Sequence, residues 1–164
     1  MVREPLARVS QGPPHRIQPA EKRGRARLIG LTKGGRNSKL HAVCDSKGRP
    51  IQMYLSAGQT SDFTGAAGLL GAMPRVKALL ADRGYDADWF RNALSDKGIT
   101  PCIPSKKNRK VQIEHDATLY KKRHKIENMF GRLKDWRRIA MRFDRRADIF
   151  LSACALAAIV LFWL

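Results

Sequence analysis

The chain has 164 residues, enough for one domain with a buried core, and 43% of them are hydrophobic. Its net charge of +18 favours an acidic polymer as partner, with nucleic acid first and an anionic membrane second. The three cysteines are far apart and odd in number, which excludes a disulfide framework and indicates free thiols in a reducing cytoplasm.

The amino-terminal and carboxy-terminal segments differ sharply in composition. Residues 1–30 hold four prolines and many arginines with little apolar periodicity, which predicts a basic, disordered tail. We expect one folded domain over residues 31–164. The run from Ile149 to Leu164 is uncharged but shorter than the roughly 20 residues that span a bilayer. It is interpreted as a buried core helix, and no membrane partner is expected.

Strand and helix patterns alternate after Ser38. In chain order they predict strands at 38–45 and 51–58, a helix at 61–73, a strand at 76–82, a helix at 86–98, a strand at 99–104 and a basic loop at 105–116. The first two strands flank turn residues and predict a hairpin. From Thr118 a helical pattern continues to the end, with a break between Arg142 and Asp148. This order predicts an α/β fold, in which a mixed sheet carries helices on its faces.

One carboxylate, Glu127, lies within the strongly basic helical segment that follows Thr118. At about 100° per residue, one narrow stripe holds four side chains beside the apolar face of the helix: Tyr120, Arg123, Glu127 and Lys134. Glu127 could form an ordinary helix ion pair with Arg123, worth a few tenths of a kcal/mol. It could instead be a functional carboxylate at the edge of the packed interface.

A second carboxylate, Asp82, ends the short apolar strand at 76–82. Functional groups of open α/β sheets gather at the carboxyl ends of strands. Asp82 and Glu127 together could bind a hard cation such as Mg²⁺ or Mn²⁺, which phosphoryl transfer often uses in pairs. The alternative is that Asp82 caps the helix that begins near Asp86.

The stripe has the spacing Tyr-x2-Arg-x3-Glu-x6-Lys, and in this the chain resembles the DDE transposases of insertion sequences. The stretch ADRGYDAD (81–88) resembles the block that holds the second catalytic aspartate of that family, which maps to Asp82. GGRNSKLHAVCDSKGRP, LSAGQTSD and PCIPSKKNRK resemble further blocks, and the likeness extends from about Gly30 to Leu164. It implies an RNase H-like fold and metal-dependent cutting and joining of DNA.

The resemblance also implies roles for particular residues. Asp82 and Glu127 would be catalytic and would hold metal, with two Mg²⁺ (or Mn²⁺) ions in a complete site. Tyr120, Arg123 and Lys134 would bind DNA near the scissile bond. The implied partners are transposon ends, target DNA and further copies of the chain on that DNA, in the nucleoid of a bacterial cytoplasm.

One departure from the family concerns its first aspartate, which lies on the first strand of the fold. Residues 1–30 contain no aspartate, and nothing upstream of Ser38 resembles that strand. Asp45 falls in the predicted turn and Asp62 at a helix start, so neither replaces it. We therefore predict a partial domain that lacks its first strand and is inactive alone.

Two origins would account for such a partial domain. An upstream transposase segment, from an overlapping reading frame, could supply the missing aspartate and complete the enzyme. The chain could otherwise be a decayed, non-catalytic remnant that binds DNA and inhibits transposition.

Overall fold

The computed structural model describes residues 6–8, 28–33, 35–60 and 62–164. The strands are β1 (Leu6–Arg8), β2 (Gly30–Thr32), β3 (Gly35–Cys44), β4 (Pro50–Ala57), β5 (Ala78–Leu80) and β6 (Thr100–Cys102). The helices are α1 (Asp62–Leu70), α2 (Asp88–Asp96), α3 (Ala117–Lys121), α4 (His124–Lys134), α5 (Arg137–Ala140) and α6 (Ala147–Phe162). A 3₁₀ turn spans Arg83–Tyr85.

The strands form one mixed sheet. β3, the longest strand, pairs antiparallel with β4, with β2 and with β1, and β1, β5 and β6 follow one another in parallel. β5 thus has neighbours on both sides, and all three of its residues are buried, as a short run of apolar residues between turn signals predicts. The mixed α/β fold class is confirmed.

We expected the sheet to lack a strand, and here the structure differs. Leu6–Arg8 forms β1 and fills the place between β3 and β5. Backbone N–H and C=O groups on those two edges need partners, and three extended residues are enough to supply them. β1 consists of leucine, alanine and arginine, so the strand is present without a carboxylate. The rest of the predicted tail, at 1–5 and 9–27, lies outside the described residues.

The β3–β4 hairpin is confirmed, and Asp45 organises its turn. The Asp45 carboxylate accepts hydrogen bonds from the backbone N–H of Lys47 and of Arg49, at 2.9 and 3.0 Å. It also forms an ion pair with the Arg49 guanidinium at 2.6 Å. Gly48 adopts a φ of +83°, which side chains other than glycine rarely tolerate. Asp45 therefore has a structural role, and Asp62 begins α1.

Two hydrophobic cores lie on the two faces of the sheet. Because side chains alternate along a strand, Leu79 of β5 points into one core and Leu80 into a small cluster on the opposite face. The first core packs β3 and β5 against α1 and α2 through residues such as Leu69 and Phe90. The second packs β3 and β4 against α4 and α6. Helices on both faces confirm the predicted layering.

α6 is only partly the buried core helix that we predicted. Its inner face, including Phe150 and Cys154, is buried against α4 and the sheet. Its outer face leaves apolar side chains in solvent, among them Leu156 at 58% exposure. A run without charged residues does not show which face of the helix lacks a packing partner. For this reason the prediction from sequence gave α6 more burial than the structure has. Over the described residues, no helix combines the length and apolarity that crossing a bilayer requires.

Candidate active site

Asp82 lies at the carboxyl edge of the sheet, two residues beyond the end of β5. The strand is prolonged there by a hydrogen bond from Ala81 N–H to Cys102 C=O. The Asp82 side chain makes no capping hydrogen bond to the 3₁₀ turn that it precedes, and the N-cap of α2 is Ala87. The alternative that Asp82 caps the helix near Asp86 is therefore wrong.

A tight joint separates α3 from α4, where the sequence predicted one continuous helix. Its hydrogen bonds span three residues instead of four, as in Arg123 N–H to Tyr120 C=O at 2.9 Å and Ile126 N–H to Arg123 C=O at 3.1 Å. Such 3₁₀ winding turns the chain by about 120° per residue. The side chains from Tyr120 to Glu127 therefore do not form the single straight stripe that an ideal helical wheel predicts.

Arg123, the N-cap residue of α4, bridges the two predicted carboxylates. Its Nη1 lies 2.8 Å from Asp82 Oδ1, and its Nη2 donates a hydrogen bond of 2.8 Å to Glu127 Oε1. The helix ion pair considered above is thus real, but it is one half of a three-residue contact. A strand end and a helix, separated by 45 positions in sequence, bring their carboxylates to one cation.

The charges at this contact affect one another because the three side chains are partly buried. The Arg123 side chain is only 18% exposed, against 29% for Asp82 and 45% for Glu127. Burial alone would lower the pKa of Arg123, but the negative charge of Asp82, with Tyr120 and Glu127, raises it above its usual value. Arg123 therefore stays charged and balances the carboxylates.

Tyr120 packs beside this contact. Its ring lies 5.7 Å from the Arg123 guanidinium carbon and meets the His115 ring edge-on at 5.3 Å. It also covers Leu80 and Cys102 at the end of the sheet. Burial raises the pKa of the Tyr120 hydroxyl, so it is a neutral donor at physiological pH. Tyr120, Arg123, Asp82 and Glu127 are thus gathered in one place.

Lys134 lies farther along α4. Seven residues separate it from Glu127, or about 10 Å along the helix axis. It lines an open cleft of about 540 Å³ with Lys39, Phe130 and Arg142, between the start of β3 and the segment after α5. The predicted stripe therefore divides into a site around Arg123 and a separate basic position at Lys134.

No third ligand joins the pair among the described residues. No group of three or more His, Cys, Asp or Glu side chains in that part of the chain could hold a metal ion. The donor set at this edge of the sheet is two carboxylates, which suits a hard divalent cation.

A buried network beside the site was not predicted. Asp86 accepts from Arg91 Nε at 2.8 Å, from Arg109 Nη1 at 3.0 Å and from the Lys106 N–H at 2.7 Å. Burial would raise the pKa of the Asp86 carboxyl, but these donors outweigh it and hold the pKa below its usual value. Aspartate near the start of a helix is common, so the sequence offered no signal for a contact with Arg109, which lies 23 positions away.

Comparison with known proteins identifies the family. The model of the transposase DDE domain matches residues 14–163. A protein of Burkholderia cepacia named as a transposase for insertion sequence element IS402 is 34% identical over 137 residues, which cover 77% of this chain and 63% of that relative. A protein of Brucella ovis named as a transposase for insertion sequence element IS6501 is 36% identical over 128 residues, which cover 77% of this chain and 98% of that relative. The chain therefore belongs to the DDE transposases of insertion sequences.

Proposed function

We propose that this chain is the catalytic portion of a DNA transposase, which cleaves and joins DNA strands with Asp82 and Glu127 as its metal-binding carboxylates. The observation that carries the proposal is the position of Arg123, whose guanidinium contacts both carboxylates at 2.8 Å. Two acidic side chains that already share one cation are placed to share another. The order of the mixed sheet, with helices on both faces, supports the RNase H-like fold that the resemblance implies.

The residues present fit a divalent ion in part. Asp82 and Glu127 would hold Mg²⁺ or Mn²⁺, which would activate water and stabilise charge on phosphate oxygens. Arg123 contacts oxygens of both carboxylates, so it would have to release at least one of them for an ion to be held there. Its guanidinium is then available for a DNA phosphate, and Tyr120 is placed to orient it through ring contact.

The fit is incomplete because no third carboxylate joins the pair within the described ranges. The strand register indicates where such a carboxylate would belong. Leu6 of β1 is paired with Leu80 of β5, so position 8 is level with Asp82. Even steps along a strand keep to one face of the sheet, and β1 contacts α4, the helix that carries Glu127. A carboxylate at position 8 would therefore complete the site, and this chain has an arginine there.

The test is the full-length variant Arg8→Asp. The matched control is Ala7→Asp combined with Arg8→Gln, which makes the same change of two charge units but puts the carboxylate at the adjacent position of the strand. Mn²⁺ binding is measured by electron paramagnetic resonance. We expect Arg8→Asp to bind Mn²⁺ at least about tenfold more tightly than the unmodified chain, since affinity rises with ligand charge. Plasmid nicking that depends on Mn²⁺ should rise with it. An equal gain in both variants would show general charge attraction and refute the site.

The second candidate function is a non-catalytic DNA-binding product that occupies transposon ends and inhibits transposition. The arginine at position 8 favours it, because this chain has no carboxylate at the position that would complete the site. The two functions separate in one assay: the inhibitor binds DNA without nicking it, and the catalytic portion nicks once the third carboxylate is supplied.

Completion by an upstream transposase segment has a structural requirement. A first strand supplied by another chain must enter between β3 and β5, where β1 now lies. It would therefore have to displace Leu6–Arg8, which is a short strand with few hydrogen bonds to lose. The matched region spans 63% of the IS402 relative. Binding to transposon ends and target DNA, and assembly of several copies on that DNA, are therefore part of the proposal.

A further inference from the structure

The loop between β6 and α3 has a charged sequence and an ordered structure. Residues 105–113 contain four basic side chains and no acidic one. Lys107 and Lys110 are exposed. Within the described part of the chain, neither forms an ion pair with an acidic side chain. A basic stretch of this kind is usually a solvated and flexible surface.

This loop is instead closed on itself. Ser105 Oγ accepts from Ile113 N–H at 2.8 Å and lies 3.1 Å from the Ile113 carbonyl oxygen. The Gln112 side-chain amide donates to the carbonyls of Lys106 and Arg109, each at 3.1 Å. These bonds join the two ends of the loop and fix its interior, while its apolar side chains Val111 and Ile113 are exposed.

Asp86 anchors the closed loop to the protein. Its carboxylate, 1% exposed, binds the backbone of Lys106 and the side chain of Arg109. Arg91, also buried, binds both Asp86 and the carbonyl oxygen of Ile103 just before the loop. A buried carboxylate that holds a solvent-exposed loop in place lowers the entropy that the loop would lose on binding a ligand.

Both ends of the loop adjoin the candidate active site. Leu80 of β5 is paired with Cys102 of β6. The backbone that leads from β6 into the loop therefore leaves the sheet beside Asp82, at the spacing of neighbouring strands, about 5 Å. At its other end the loop leads through Asp116, the N-cap of α3, to Tyr120. The two ends of the loop that carries Lys107 and Lys110 therefore lie beside Asp82 and Tyr120.

We propose that residues 105–113 are a preformed surface for the phosphate backbone of the DNA that lies beside the Asp82–Glu127 site, with Lys107 and Lys110 as the contacting groups. This inference rests on the proposed function and adds to it the place where the DNA strand is held. Arg109 is committed to Asp86 and Asp88, so it shapes the surface and does not contact phosphate.

The first experiment compares two double variants of the full chain that remove equal charge. Lys107→Ala with Lys110→Ala changes the loop, and Lys77→Ala with Lys97→Ala removes two exposed lysines near the amino ends of β5 and β6, at the opposite edge of the sheet. Binding to a labelled DNA duplex is measured by fluorescence anisotropy at several salt concentrations. We expect the loop variant to reduce the slope of log K against log salt by about 2 and the affinity by about tenfold. Equal effects of the two variants would overturn the proposal.

The second experiment separates the shape of the loop from its charge. Asp86→Asn removes a negative charge, so attraction by charge alone would tighten DNA binding. A loop that must be preformed predicts the reverse, a several-fold weaker affinity. Asp96→Asn, which removes an exposed carboxylate at the far end of α2, is the control that does not weaken binding. Circular dichroism verifies that each variant folds. If Asp86→Asn does not fold, the lysine variants alone test the proposed DNA-binding surface. If the unmodified chain binds no DNA, the proposed function fails as well. If the unmodified chain binds DNA but the loop variants do not show the expected loss of affinity, only the inference about the loop is overturned.

Discussion

Replacement of Arg123 by glutamine should strengthen divalent metal binding in the absence of DNA. Arg123 occupies oxygens of both Asp82 and Glu127, so a metal ion must break these contacts in the unmodified chain. The substitution removes the competing charge and leaves two carboxylates that repel each other. Both effects favour a cation between them.

The expected gain in Mn²⁺ affinity follows from the solvent exposure of the two ion pairs that Arg123 forms. Glu127 is 45% exposed, so its pair with Arg123 is worth about 0.4 kcal/mol after screening by solvent. Asp82 is 29% exposed, and its pair with Arg123 is worth about 1 kcal/mol. Loss of both pairs would cost about 1.4 kcal/mol, so removing Arg123 should lower the dissociation constant for Mn²⁺ by up to about tenfold.

Titration of Mn²⁺ by electron paramagnetic resonance measures this constant, with Lys121→Gln as a control. Lys121 is an exposed cation on the neighbouring helix, and among the residues that the structure describes it has no acidic partner. The same Arg123→Gln variant should bind DNA more weakly and reduce the salt slope by about 1, because the proposed function assigns Arg123 to a DNA phosphate. Unchanged or weaker Mn²⁺ binding would refute the competition between Arg123 and metal.

Three further outcomes are expected. In a chain completed with a first aspartate, Asp82→Ala or Glu127→Ala should abolish strand cleavage and leave DNA affinity in anisotropy assays largely intact; cleavage that survives either change removes the ligand assignment. Burial raises the pKa of the Cys44 thiol to about 12 and of Cys154 to about 11, so thiol reagents at pH 8 should label the cysteines only after denaturation. The pKa of Asp86 is lowered on folding, so ionised Asp86 stabilises the fold above about pH 4 and this contribution is lost as pH falls below it. Melting temperatures of Asp86→Asn should therefore fall less steeply in acid than those of the unmodified chain.

Much of the fold was accessible from sequence because local patterns determine it. Strand candidates on either side of turn residues predicted β3 and β4, and a short apolar run between Pro74 and Gly84 predicted β5 with Asp82 at its end. Spacing on α4 predicted that Arg123 and Glu127 are neighbours. These features depend on residues close in sequence, or on the general rule that functional groups gather at strand ends.

The remaining features depend on contacts between distant segments. Nothing in the helical pattern shows that Arg123 also reaches Asp82, since that contact requires the packing of α4 against the sheet. The Asp86–Arg109 contact closes a gap of 23 positions, and β1 pairs with β3 and β5 although its three residues carry no strand pattern. The 3₁₀ joint between α3 and α4 was hidden because its residues are good helix formers.

The central claim is that Asp82 and Glu127 form one cation site at the edge of the sheet, and paramagnetic line broadening by Mn²⁺ tests it most directly. In nitrogen-15 spectra of the full chain, substoichiometric Mn²⁺ should broaden the amide signals near Asp82 and Glu127 and spare those near Lys97. Asp82→Asn with Glu127→Gln should abolish that broadening. Broadening that is uniform over the chain, or that persists in the double variant, would contradict the claim.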